Sequence, residues 1–241
     1  MFWIILFFMV GFLYAAFQAK IKGIIGEKIV AMMLSGLPDK QYKVLNDIML
    51  ETEQGTTQID HIVISVYGIF VIETKNYKGW ITGSEYGDYW TKNMYGKKYK
   101  FRNPLKQNYA HVKALEEKLG LKEEKFIPIV AFSGNSNIKV KSKAKVVYIG
   151  QLKRVIKSYG EILFTESDLD RMVEKILICN ITDKEIRRRH VEQIKAKVAG
   201  ISDKKELGVC PNCGGKLTEV KISRGQFLRC SNFPNCNYTK H

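Results

Sequence analysis

The hydrophobic positions of the chain fall into short runs with two different periods. Residues 23–34 carry apolar side chains at helical spacing, which predicts a helix that ends before Pro38. Three strand-like runs follow, at 42–50, 57–66 and 69–75. Tyr67-Gly68 separates the last two runs and is a candidate two-residue turn. The pattern therefore predicts an antiparallel meander after the first helix.

Helical and strand patterns alternate through the next part of the chain. Asn103-Pro104 is a helix start, and apolar runs at 126–132 and 146–149 predict two further strands. Residues 151–200 read mainly as helices, followed by a charged linker that ends near Leu207. This intermixing predicts an α/β (α+β) protein.

The first residues form the most apolar stretch of the sequence. Residues 1–17 contain no charged side chain, and 1–19 approach the roughly 20 residues that span a bilayer. A cleaved signal peptide is the alternative, but no basic residue precedes the stretch and no clear cleavage site follows. Because Lys20 and Lys22 come directly after it, we expect a single-pass membrane anchor with the remaining chain in the cytoplasm.

The formal net charge of +15 over 241 residues narrows the range of partners. Such an excess of lysine and arginine is typical of proteins that bind nucleic acid or an anionic membrane surface. Trp80, Trp90, Tyr95 and Tyr99 alternate with lysines, so they could stack on bases. Packing of the two tryptophans against the sheet is the alternative that we favour from the sequence.

Charged side chains interrupt two otherwise apolar strands. On a strand Glu73 and Lys75 share one face, and a turn at Tyr67-Gly68 would put Asp60 directly opposite Lys75. Two carboxylates at this range suit magnesium or manganese, and a lysine can orient the attacking water for phosphodiester hydrolysis. A cross-strand ion pair without catalytic function is the alternative for the three residues alone.

Several short motifs resemble the nuclease-related (NERD) domain family over roughly residues 23–135. They are Gly26-Glu27, Gln58-Ile59-Asp60-His61, Gly68 to Asn76, Gly79-Trp80-Ile81, Trp90 and Asn103-Pro104-Leu105 with Gln107-Asn108. That family is assigned to the PD-(D/E)XK nuclease superfamily, so the resemblance implies a restriction-endonuclease-like mixed sheet flanked by helices.

The resemblance also implies a catalytic site. Asp60 and Glu73 would be ligands of magnesium or manganese, Lys75 the catalytic lysine, Glu27 an accessory acid and Gln107 a further site residue. For Glu27, stabilisation of a helix N-terminus is the alternative function. His111, one helical turn after Gln107, is interpreted as a capping or core polar residue.

Four cysteines near the C-terminus form two closely spaced pairs, Cys210 with Cys213 and Cys230 with Cys236. This spacing predicts a closed, structural zinc site, because four thiolates complete a tetrahedron around Zn²⁺. Two disulfides are the alternative, but they belong to oxidising compartments. The remaining Cys179 lies on an apolar helical stretch and is interpreted as a small buried residue.

Residues 225–236 resemble the zinc ribbon at the C-termini of type IA topoisomerases, which binds single-stranded DNA. The resemblance favours Arg224, Phe227, Arg229 and Tyr238 as nucleic-acid contacts. We thus expect an anchor at 1–19, a nuclease-like domain at 20–135, an extension at 136–207 and a ribbon at 208–241.

Together these features predict a membrane-tethered, metal-dependent DNA nuclease that acts on single- or double-stranded DNA. A non-catalytic protein that tethers DNA through the same fold is the first alternative. An adaptor on an anionic membrane surface is the second.

Overall fold

The computed structural model describes residues 23–53, 55–192, 217–222, 225–234 and 236–240. The chain divides into two compact units, the first ending at Ile181 and the second beginning at Thr182. The predicted anchor at 1–19 lies outside the described residues. Within the described ranges, none of the helices has the length and apolar character that a membrane crossing needs.

Helices and strands alternate along the first unit. Its helices are α1 (23–35), α2 (Pro104–Leu119), α3 (Leu152–Lys157) and α4 (Glu166–Cys179). Its strands are β1 (Tyr42–Thr52), β2 (Gly55–Ser65), β3 (Gly68–Lys75), β4 (Gly79–Ser84), β5 (Tyr89–Met94), β6 (Lys97–Arg102), β7 (Phe126–Phe132), β8 (Ser136–Lys141) and β9 (Lys145–Tyr148). The predicted first helix and the first three strands are confirmed to within a few residues.

The central sheet has five strands in the order β1-β2-β3-β7-β9. The first three are antiparallel, as predicted, whereas β7 pairs parallel with β3 and β9 parallel with β7. Helices cover both of its faces, because one hydrophobic cluster joins it to α2 and α4 and another to α1 and α3. Burial on both faces explains the unbroken apolar runs at 62–64 and 69–72. The predicted mixed sheet flanked by helices is therefore confirmed.

A second sheet, with the order β6-β5-β4-β8, was not predicted from the sequence. Its inner face packs around Trp90, which is fully buried and stacks on Phe132 of the central sheet. Gly83 makes this packing possible, since a Cβ there would lie 2.3 Å from the indole of Trp90. Strands β8 and β9, from the region expected to be an extension, pair with β4 and β7.

Helix α2 begins at a strongly constrained position. The side chain of Asn103 accepts a hydrogen bond from the Leu105 amide and donates to the carbonyls of Ser84, Glu85 and Gly87. Asn103 therefore caps the helix and fixes it to the β4–β5 connection at the same time. Pro104 then occupies the first turn, where its missing N–H costs nothing.

The turn between β2 and β3 differs from the predicted one. Ser65 pairs with Gly68, so the two-residue loop is Val66-Tyr67 and not Tyr67-Gly68. Gly68 has a φ of +131°, which side-chain-bearing residues rarely adopt. The hydroxyl of Ser65 donates to the Gly68 carbonyl and accepts from the Tyr67 amide, which closes the turn one residue earlier.

The second unit contains the helix α5 (184–192) and a three-stranded antiparallel sheet. Its strands are β10 (Leu217–Ile222), β11 (Gly225–Cys230) and β12 (Thr239–Lys240). A small buried cluster of Cys230, Cys236 and Tyr238 packs with Leu217. Within the described part of this unit, a cluster of this size would not by itself stabilise a domain.

Candidate active site and zinc ribbon

The C-terminal end of β3 and the first turns of α2 bring four polar side chains together. Glu73 is only 1% exposed and forms an ion pair through Oε1 with the Lys75 ammonium. Lys75 also donates to Oε1 of Gln107, at 3.2 Å. Gln107, predicted as a site residue, therefore contacts the lysine directly.

The second oxygen of Glu73 is bound by a residue whose function the sequence left open. Nε2 of His111 lies 3.1 Å from Oε2 of Glu73, and its Nδ1 lies 2.8 Å from the Thr57 hydroxyl. His111 is thus a buried partner of the carboxylate and not a cap. Its helical spacing from Gln107 was visible in the sequence, but its pairing with β3 was not.

The charges of this pair stabilise each other. Burial alone would raise the pKa of Glu73, but Lys75 and the His111 hydrogen bond outweigh burial and hold that pKa below its usual value. Burial would lower the pKa of Lys75, yet the Glu73 charge raises it to about 12. Lys75 is therefore an ammonium at neutral pH, which can donate hydrogen bonds but cannot accept a proton from water.

Asp60 lies beside this pair, but not in the predicted register. The β2–β3 pairing ends at His61 opposite Ile72, so the next step along the strands leads from Asp60 to Glu73 and not to Lys75. Oδ2 of Asp60 accepts hydrogen bonds from the Thr74 amide and hydroxyl, both at 2.8 Å. The difference follows from the earlier turn at Val66-Tyr67.

A break in the strand alternation occurs where Asp60 lies. Ile59 and Ile62 pack in the same cluster although they are three residues apart, and so do Leu45 and Ile48 on β1. In a regular strand such positions would face opposite sides. Asp47, between Leu45 and Ile48, has a φ of 55°, a left-handed conformation that aspartate tolerates better than most residues.

Burial raises the pKa of Asp60 to about 7, and the neighbouring charge of Glu73 adds to the effect. Without a compensating cation, the carboxyl is therefore about half protonated at neutral pH. A divalent ion would reverse this preference, because it stabilises the ionised form. The acid pair thus fits a hard cation.

Glu27 lies on α1, on the other side of β3. Burial, then the charges of Asp47 and Glu73, raise the pKa of its carboxyl, while Lys75 lowers it. Gly26 allows the close approach, since a Cβ there would meet the Asn76 side chain at 3.0 Å. The helix therefore adds an acidic group to the electrostatics of the site, although much of the Glu27 side chain remains in contact with solvent.

The carboxylates would not enclose a metal ion completely. Among the described residues, no three carboxylate, imidazole or thiolate groups form a ready set of metal ligands. Magnesium commonly binds one or two carboxylates and keeps water molecules for its other positions. Asp60 and Glu73 fit that mode, and a site built this way keeps positions open for water and phosphate.

The raised pKa of Asp60 predicts a pH-dependent stability of the metal-free protein. A raised pKa in the folded state stabilises the fold while the carboxyl is protonated, and this contribution is lost as the pH rises through about 7. Between about pH 6 and pH 8 we expect a loss of about 1 kcal/mol. Thermal unfolding in EDTA measures it, with Asp60→Asn as the control. An equal decline in Asp60→Asn would contradict the assignment.

In the second unit, Cys230 and Cys236 are both buried in one cluster. The Asn232 amide lies 3.4 Å from Sγ of Cys230, and the Cys236 amide donates to the Asn232 carbonyl. Both cysteines of the pair therefore contribute to the same buried cluster. Cys210, Cys213 and Arg224 lie outside the described residues.

The predicted nucleic-acid contacts of the ribbon differ in exposure. Phe227 and Arg229 are half-buried on β11, whereas Tyr238 is 6% exposed and packs with the cysteines. Burial leaves little of the Tyr238 ring for a base. The guanidinium of Arg229 lies 4.5 Å from the ring centroid of Phe233, an exposed residue that the sequence reading missed.

The aromatic residues of the second sheet also divide into two groups. Trp90 is buried, as the packing interpretation predicted, but that interpretation is wrong for Trp80, which is 53% exposed. Tyr95 and Tyr99 are exposed as well. Cys179, predicted to be buried, is half-buried and packs against the hydrophobic cluster that joins the central sheet to α2 and α4.

Sequence comparisons agree with the motifs at both ends. The profile of the nuclease-related domain, NERD, matches residues 22–133. Residues 22–133 are a nuclease-related domain. The profile of the topoisomerase DNA-binding C4 zinc finger matches residues 207–241. This NERD protein therefore combines a nuclease-like domain with a topoisomerase-type ribbon.

Three relatives match this chain over different shares of its length. An uncharacterized protein of Bacillus anthracis is 44% identical over 187 residues, which cover 75% of this NERD chain and 87% of the relative. DNA topoisomerase 1 of Campylobacter jejuni is 36% identical over 80 residues, or 32% of this chain and 11% of the enzyme. DNA topoisomerase 1 of Methanocaldococcus jannaschii is 45% identical over 89 residues, or 29% and 12%. No solved structure matches the chain.

Proposed function

We propose that this NERD protein is a metal-dependent nuclease that hydrolyses phosphodiester bonds of DNA. The observation that supports it most strongly is the buried Glu73, held by Lys75 on one oxygen and by His111 on the other, beside Asp60. Burying a charged pair in an apolar sheet costs stability, so its presence is better explained by a function than by folding. Hydrolysis of a phosphodiester is a function that uses both charges.

Each side chain has a definite task in this proposal. Asp60 and Glu73 would hold magnesium or manganese, which supplies an activated water and charge stabilisation at the phosphate. Lys75 stays charged, donates hydrogen bonds to the water or phosphate, and offsets the negative charge that develops. Gln107 orients the lysine, and His111 fixes the carboxylate of Glu73. Glu27 adjusts the electrostatic potential from α1.

The ribbon would bind the DNA substrate. We propose that Cys210, Cys213, Cys230 and Cys236 hold one structural zinc ion, and that Arg224, Phe227 and Arg229 contact DNA. The half-buried pair of β11 residues and the exposed Phe233 support this, since charge and an aromatic face suit a single strand. The similarity of about a third of this chain to two DNA topoisomerase 1 proteins supports the same assignment.

The experiment that tests the nuclease is cleavage of labelled single- and double-stranded DNA by the full chain. Magnesium and manganese are compared with EDTA, and zinc alone serves as a further control. Cleavage that requires the divalent ion supports the proposal. Retained DNA binding without cleavage under every condition would favour the tethering alternative instead.

We also propose that residues 1–19 anchor the protein in a membrane, with the body in the cytoplasm. The support is the uncharged apolar stretch followed by Lys20 and Lys22. In membrane vesicles of known orientation, protease added to the cytoplasmic side should digest the body, because the membrane does not protect it. Release of the chain into the supernatant by a carbonate wash alone would contradict an anchor.

A further inference from the structure

The outer face of the second sheet carries basic and aromatic side chains and no carboxylate on its strands. Strand pairing puts Trp80 opposite Asn93, and Asn93 opposite Lys98. Lys100 and Arg102 continue this face on β6, and Lys139 lies on it on β8, with all three side chains exposed. A surface with this charge suits a phosphate backbone.

Trp80 is the aromatic centre of this outer face. It is 53% exposed, and Nζ of Lys139 lies 3.9 Å from its ring centroid. This cation–π contact fixes the indole and keeps a positive charge beside it. A flat aromatic face next to a cation is the arrangement that holds a base and its phosphate together.

A cavity of about 520 Å³ opens next to the indole. Its wall includes Lys78, Asn93, Tyr95 and Trp80, and its size lies within the usual range for small-molecule sites. Oδ1 of Asn93 is buried and has no hydrogen-bond partner within the described part of the chain. A buried acceptor without a partner is costly. Protein atoms cover Oδ1 as the side chain stands, so an N–H group of a ligand would satisfy it once the Asn93 side chain turns towards the cavity.

The cavity is close to the candidate catalytic lysine along the chain. Lys78 follows Lys75 by three residues, which span at most about 11 Å. Tyr77 lies between them along the chain, with Nζ of Lys92 at 4.7 Å from its ring centroid. A strand that places a phosphate near Lys75 therefore has a neighbouring nucleotide within reach of the cavity.

We infer that this cavity binds an unpaired base of the DNA strand that is cut, stacked on Trp80 with its edge towards Asn93. The base must be unpaired, because within a duplex both faces of a base are covered by its neighbours. This inference rests on the proposed nuclease function and specifies its substrate as single-stranded DNA or a duplex with an unpaired stretch. Lys139 and Lys78 would contact the adjoining phosphates.

The test measures DNA binding by the full, zinc-loaded chain in buffer without added magnesium or manganese, so that no cleavage occurs and the ribbon keeps its zinc. Fluorescein-labelled oligothymidylate and a blunt duplex are compared by anisotropy, in the wild type and in Trp80→Ala. Alanine at a base-stacking position typically weakens binding by about 5- to 100-fold. We expect that loss for oligothymidylate and a much smaller one for the duplex.

Tyr109→Ala is a closely matched control. Tyr109 is 52% exposed and has a lysine, Lys113, with Nζ 5.1 Å from its ring centroid, but it lies on α2. Its replacement should leave the affinity unchanged. Asn93→Ala should weaken binding of oligothymidylate less than Trp80→Ala does, because stacking remains.

A second readout separates this surface from the ribbon, which is also expected to bind DNA. Stacking should quench the emission of Trp80 on titration with oligothymidylate, and Trp80→Phe should remove that response. Binding without quenching, or equal affinities of Trp80→Ala and Tyr109→Ala, would overturn the inference. This binding test is independent of the cleavage assay. If binding depends on Trp80 but the cleavage assay shows no nuclease activity, the inference about the base site stands and the nuclease function is rejected.

Discussion

Glu73→Gln and Lys75→Met should each lower the rate of metal-dependent DNA cleavage by about 10³-fold or more. Each variant would remove a charge that is proposed to act at the scissile phosphate from a largely buried pair, and such charges have their largest effect where burial lowers the local dielectric. Glu73→Gln also removes a proposed metal ligand. Single-turnover cleavage of a labelled strand at saturating magnesium measures the effect.

These substitutions also break a buried ion pair, so loss of folding must be separated from loss of catalysis. Removing one partner of such a pair typically costs about 3–5 kcal/mol, because the other charge stays buried alone. The double variant Glu73→Gln with Lys75→Met leaves no unpaired charge. We expect it to recover most of the stability in a thermal melt and none of the cleavage.

Lys106→Met provides the matched control for the lysine. Lys106 lies next to Gln107 on α2, and its ion pair with Asp88 is about half exposed to solvent. Exposed pairs contribute little, about 0–1 kcal/mol, so stability and cleavage should both stay near wild type. Near wild-type cleavage by Lys75→Met, in contrast, would rule out the proposed site.

Removal of zinc should unfold the ribbon and abolish its contribution to DNA binding. The described core of this unit consists mainly of Cys230, Cys236 and Tyr238 with Leu217, which is too small to fold a module without a metal. Structural zinc sites contribute folding free energy directly, with apparent values of about 10–16 kcal/mol in zinc-finger peptides. Chelation or Cys230→Ser should therefore make the C-terminal region sensitive to protease.

The zinc content decides between a metal site and disulfides. We expect one zinc ion per chain, released by a thiol-modifying reagent and detected with a metal-sensitive dye. Cys179→Ser is the control, because Cys179 lies on α4 in the first unit and should not affect zinc content. A chain without zinc whose cysteines react with the reagent only after reduction would contain disulfides instead.

The sequence by itself determined the local elements and the chemical types at the site. Unbroken apolar runs predicted the buried strands, because a strand covered on both faces needs no polar alternation. The spacing of Glu73 and Lys75 placed them on one face of β3, since strand periodicity is a local property. The cysteine spacing predicted the ribbon because each pair of zinc ligands lies close together in the sequence.

Only the tertiary structure decided the arrangement around those residues. The turn at Val66-Tyr67 shifts the pairing so that Asp60 approaches Glu73 and Thr74, because moving a two-residue turn by one position changes the register of the strands. His111 became a partner of Glu73 because α2 packs across β3, a contact between residues 38 positions apart. Strands β4, β5, β6 and β8 carry too many polar residues on their outer face to stand out in the sequence. Their pairing, which leaves Trp80 exposed and Trp90 buried, depends on contacts between distant segments, and local periodicity contains no information about those.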